Sequence, residues 1–99
     1  MGLHSNLRIK RFKANDVRFS HDDKISSLFK FIAMLRFLQE LEVQENDFRE
    51  KDIEKLSEIL VSFCMYISSI NVLGTIHKVG LLEGLKSNLP GLKWCYSDL

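Results

Sequence analysis

A single proline and five glycines in 99 residues leave little room for the many tight turns of a β sandwich or barrel. Two cysteines, Cys64 and Cys95, are too few for a disulfide scaffold, and a reducing cytoplasm is the simpler setting for them. No long apolar run stands near the N-terminus, so a secretory leader is not expected. Met1-Gly2 opens like an acylation signal, but Asn6 stands where that motif needs Ser or Thr. Catalytic signatures are missing too: there is no Gly-x-Ser-x-Gly elbow, no Gly-Lys-Ser/Thr phosphate loop and no dinucleotide fingerprint. His4, His21 and His77 have no second ligand at metal-binding spacing. Neither an enzyme nor a bound cofactor or metal is expected.

What is present is apolar residues at helical spacing. Hydrophobic residues make up 45% of the chain and charged residues 27%, a balance that suits a folded domain and excludes a disordered one. In residues 47–70, Ile53, Leu56, Leu60, Phe63, Cys64, Ile67 and Ile70 recur three and four apart, with Glu54, Glu58, Ser62 and Ser69 opposite. That pattern predicts one long amphipathic helix, opened by Asp47 as N-cap with Glu50 three residues on. Residues 20–43 read as another helix, opened by Ser20 and Asp23. Its apolar residues go nearly all the way round: Ile25, Leu28, Phe29, Ile32 and Leu35 form one stripe, and Phe31, Met34, Phe37, Leu38 and Leu41 lie outside it. A short connection over residues 42–46 would make the two helices antiparallel neighbours. Residues 75–88 suggest a shorter third helix, weakened by Gly80 and Gly84.

The expected fold is therefore all-α: an antiparallel helical hairpin plus a shorter third helix. Three parts are expected, a basic N-terminal arm or short β-hairpin (1–19), a helical domain (20–89) and an aromatic C-terminal tail (90–99). Trp94 would fold back as a plug on the bundle. The uncharged run 59–76 approaches a membrane span in length, but the polar face that Ser62 and Ser69 continue favours a core helix.

Charge is unevenly distributed. Residues 1–39 carry eight Lys/Arg against three acids, whereas residues 40–58 carry eight acids against three Lys/Arg. Such an asymmetry suits either neutralisation between the halves or a basic arm for an anionic partner.

More apolar surface on the first helix than one copy can cover implies a partner, either a second copy or another protein. The expected function is that of a small cytoplasmic regulator or adaptor (inhibitor, anti-activator, chaperone or assembly factor) associating through Phe31, Met34, Phe37 and Leu41. The alternative is a nucleic-acid-binding transcriptional regulator that uses Arg8, Lys10, Arg11, Lys13 and Arg18 on a dimeric helical base. A membrane-associated protein is the third class. On this reading Phe37→Asp abolishes association, seen as a fall in mass by light scattering, and leaves most far-ultraviolet helicity in place.

Overall fold

The computed structural model describes residues 8–16 and 22–99. In chain order it contains β1 (Arg11–Lys13), α1 (Asp22–Ala33), β2 (Glu40–Glu42), α2 (Glu50–Phe63), β3 (Ser69–Asn71), α3 (Val79–Asn88) and β4 (Trp94–Tyr96). The strands form one parallel sheet in the order β1-β2-β3-β4. This α/β architecture overturns the all-α expectation, and with it the antiparallel helical hairpin.

Successive β-α-β crossovers of the usual right hand, taken in strand order, place every helix on the same face of the sheet. The burial pattern agrees. The middle residue of each strand (Phe12, Leu41, Ile70, Cys95) turns inward, whereas its flanking residues stay exposed or half-exposed. The helices meet those middle residues with Ile25, Phe29 and Ile32 from α1, Ile53, Leu56 and Leu60 from α2, and Leu82 and Leu85 from α3. The result is a two-layer slab of 42 × 32 × 18 Å.

The architecture repeats. Register pairs Arg11 with Glu40 and Glu40 with Ser69, so β1, β2 and β3 begin 29 residues apart, and Ser69 pairs with Trp94 after a shorter step. Three further features keep the same interval. The carbonyls of Lys10, Gln39 and Ser68 each accept two N–H groups from the next repeat, at 2.8–3.1 Å. Asp16, Glu45 and Gly74 all take left-handed backbone, at φ 50, 56 and 70°. Leu38, Leu41, Val43, Leu56 and Leu60 correspond to Ile67, Ile70, Val72, Leu85 and Leu89, all buried. The main contacts run between successive strands and successive helices, which is the organisation of a solenoid.

A buried polar ladder closes each turn after the strand. Asn46, only 1% exposed, donates its side-chain amide to the Ala14 carbonyl at 2.7 Å, and its own N–H donates to Thr75 Oγ1 at 3.0 Å. The Thr75 hydroxyl donates in turn to the Val43 carbonyl. One asparagine and one threonine thereby tie three repeats together.

Several expected boundaries move. The first helix ends at Ala33, not near residue 43, and its expected cap Ser20 lies outside the described residues. The second begins at Glu50 and ends at Phe63; its N-cap is Arg49, whose N–H donates to Asp52 at 2.9 Å, so the expected Asp47/Glu50 box does not form. Glu50 instead pairs with Lys78. The third begins at Val79. The run 59–76 divides into the end of α2, a turn, β3 and a second turn. Among the described residues no helix is long and apolar enough to cross a membrane. The sheet takes one strand from the expected arm, two from the expected helical domain and one from the expected tail, and Trp94, at 53% exposure on β4, is not a plug. The β1 segment is a parallel strand, not half of a hairpin, and Val17 to Phe19 lie outside the described residues.

Asn46→Ala removes a buried hydrogen bond shared between repeats and should lower stability by about 2 kcal/mol. A urea titration checks this: the midpoint falls while the slope is unchanged.

Candidate functional site: the open face of the sheet

Because each strand is three residues long with its middle residue inward, its flanking residues define the opposite face. Register aligns them in two rows, Arg11–Glu40–Ser69–Trp94 and Lys13–Glu42–Asn71–Tyr96. Strands lie about 4.8 Å apart, so the face changes chemistry in four narrow steps. These run from cations through carboxylates and then hydroxyl and amide groups to aromatic rings. Trp94 is 53% exposed and Tyr96 51%.

The sequence asymmetry of charge becomes adjacency here. Arg11 pairs with Glu40 across β1 and β2, and Asn15 donates its side-chain amide to Glu42. Asn15 also accepts the Gln44 N–H at 2.8 Å, which fixes the strand end. Shallow hollows follow the face. One, of about 370 Å³, is bordered by Gln39, Glu40, Ser68, Ser69, Trp94 and Tyr96. Another, of about 230 Å³, lies where the chain approaches the strands and is lined by Arg8, Lys10, Phe37, Gln39 and Tyr66. In it the Phe37 and Tyr66 rings stack with centroids 6.0 Å apart and planes 16° apart. These two residues are one repeat apart in the chain.

The residues singled out from sequence are distributed unequally. Phe37 (42%) and Met34 (38%) are exposed, whereas Leu41, at 2%, is a core residue. Phe31 is half-buried against the core, its ring 5.2 Å from that of Phe12. Arg8, Lys10, Arg11 and Lys13 fall on β1 and the residues just before it; Arg18 lies outside the described residues. The structure thus brings Phe37 together with Arg8 and Lys10, which sequence reasoning had assigned to competing functions. Sequence reasoning missed Glu40, Glu42, Ser69, Asn71, Trp94 and Tyr96 as surface residues of one face. The detectable signal was the alternation Glu40-Leu41-Glu42-Val43 and its recurrence, 29 residues later, as Ser69-Ile70-Asn71-Val72.

The two thiols lie elsewhere and are not alike. Cys64 is fully buried, and its thiol points to the Ile32 carbonyl at 3.6 Å. Burial pushes its pKa up to about 11. Cys95 is half-buried; burial raises its pKa too, Lys86 acts against that shift and Glu83 adds to it. Among the described residues no three of His, Cys, Asp and Glu gather as a metal-binding group. No protein family, no curated protein and no solved structure matches the chain.

The raised Cys64 pKa has a sign in stability. Between the ordinary thiol value of 9.0 and about 11, the unfolded chain has lost a proton that the folded chain keeps. Stability therefore falls as pH rises through that window. Cys64→Ala should flatten this part of the stability–pH curve relative to the parent, as read from urea midpoints, even though it lowers stability at neutral pH.

Proposed function

We propose that this chain is a small regulatory or adaptor-like recognition module that binds a partner protein across the open face of its sheet. Association remains the function, but the surface moves from a helical hairpin to the strands. The carrying observation is the four-step ordering of exposed chemistry, cation to carboxylate to amide to aromatic, on short, in-register strands. Arg, Trp and Tyr are the side chains that most often dominate protein interfaces. A backbone already fixed in strands also has no loop to order on binding.

The repeat supports the same reading. The spacing Leu38-x-x-Leu41-x-Val43-x-x-Asn46 resembles that of leucine-rich repeats, in which a strand and a helix form each unit and stacked units present a continuous strand surface. Opposite charges side by side suit a protein partner, which carries both signs, better than a polyanion, which the Glu40 and Glu42 carboxylates would repel. A second copy and a different protein are both within this proposal. A reducing compartment such as the cytoplasm suits two free thiols.

A second reading rests on one specific observation: Arg8 and Lys10 line the same hollow as the stacked Phe37 and Tyr66. Single-stranded nucleic acid is held by such a combination of cations and ring faces. Under that reading, neutralising Arg8, Lys10 and Arg11 together weakens binding of a labelled single strand and reduces its salt dependence.

Selection of binders from a displayed protein library distinguishes the surfaces. Binders obtained against the parent should lose about ten-fold or more in affinity for Trp94→Ala and for Glu40→Lys, the loss of a central interface residue. They should be indifferent to Glu58→Lys on the helix layer. Binders insensitive to both sheet substitutions contradict the proposal.

A further inference from the structure

We propose that the trough between α1 and α2, on the side of the molecule away from the open sheet face, is a second docking site, and that it takes an acidic amphipathic helix of a partner protein. The trough holds about 450 Å³. Its floor is apolar, formed by Phe29, Ala33, Ile59 and Phe63, and Phe63 is 52% exposed at one end. Its rim is cationic: Lys30 comes from α1, Lys51 and Lys55 from α2, and Arg49 from the α2 N-cap.

Asp52 is the only carboxylate among the lining residues. It is already engaged, accepting from the Arg49 N–H at 2.9 Å and from Arg49 Nε at 3.3 Å. Lys30 and Lys55 have no ion-pair partner among the described residues. The trough therefore presents net positive charge around an apolar strip.

The repeat shows that the fold does not require this charge. One repeat further on, the positions of Lys51 and Lys55 are occupied by Gly80 and Gly84. The next trough, between α2 and α3, is lined by those glycines together with Glu54 and Glu58. Neighbouring troughs of one scaffold thus carry opposite charge, and only the first combines cations with an aromatic end.

Charge complementarity and shape select the occupant. Carboxylates on the two flanks of a partner helix would meet Lys30 on one wall and Lys55 on the other, and apolar residues at i, i+3 and i+4 between them would lie on Phe29, Ala33, Ile59 and Phe63. A fatty acid carries the same chemistry, but small-molecule sites bury most of their ligand, and a trough open along a two-helix surface does not.

The test uses the full chain and three probes at low salt: a synthetic amphipathic helical peptide with leucine and phenylalanine on one face and glutamates on its flanks, the same peptide with lysines for glutamates, and oleate. The glutamate peptide should bind and the lysine peptide should not. Lys30→Glu/Lys55→Glu should weaken the glutamate peptide by about ten-fold, the effect expected of two lost ion pairs at roughly 0.5–1 kcal/mol each. Phe63→Ser should weaken it as well, and both variants should keep the parent's circular dichroism because the substituted side chains are exposed. Trp94→Ala should leave peptide binding unchanged, so failure here is separable from failure of the sheet-face reading. The inference is overturned if the two peptides bind equally, if neither binds, if the double lysine variant binds as the parent does, or if oleate competes the glutamate peptide away.

Discussion

The carbonyls of Lys10, Gln39 and Ser68 are where this chain is held together. Each accepts two N–H groups from the repeat that follows it, so three-residue strands that would be marginal alone are locked in register. Everything further along the strands inherits that register. Phe12, Leu41, Ile70 and Cys95 come to lie inside on one line, with charged, polar and aromatic side chains outside on two.

A unit of one short strand and one helix cannot bury its apolar side unaided. Its neighbours must complete the core, and they must also satisfy the turn that joins strand to helix. Asn46 and Thr75 accomplish the latter in the interior, where an unpaired amide or carbonyl would be costly. Left-handed backbone at Asp16, Glu45 and Gly74 recurs because each turn must make the same bend. At Gly74 an added Cβ would also meet the Glu45 carboxylate at 2.5 Å, so adjacent turns are packed against each other.

Much of the burial was legible in the sequence, and the topology was not. The inward residues of all three helices follow helical spacing, and Cys64, which falls on the apolar stripe expected for residues 47–70, is buried. The error arose at residues 34–43 and 64–70. There Leu35, Leu38 and Leu41, like Cys64, Ile67 and Ile70, continue at intervals of three and imitate another helical turn. They do so because turn and strand residues of a two-layer repeat face the same core as the helix before them. Short apolar runs of this kind satisfy both periods. The decisive signal was long-range, the 29-residue interval, which a local search for periodicity cannot register. The open face was unreadable for the same reason. Arg11, Glu40, Ser69 and Trp94 are remote in sequence and become a row only through parallel pairing. The surplus of apolar residues that suggested an interface is accounted for in part by the sheet: Leu41 is interior and Phe31 half-buried, whereas Phe37 and Met34 stay at the surface.

The parallel repeat is the claim on which both surfaces stand, and nuclear Overhauser contacts in the isotope-labelled chain test it most directly. Cross-strand backbone contacts should join residues 40–42 to 69–71 and residues 69–71 to 94–96, with no helical contacts through residues 38–43. Continuous helical contacts from residue 33 to 43 and from 63 to 70, without the cross-strand set, would contradict it.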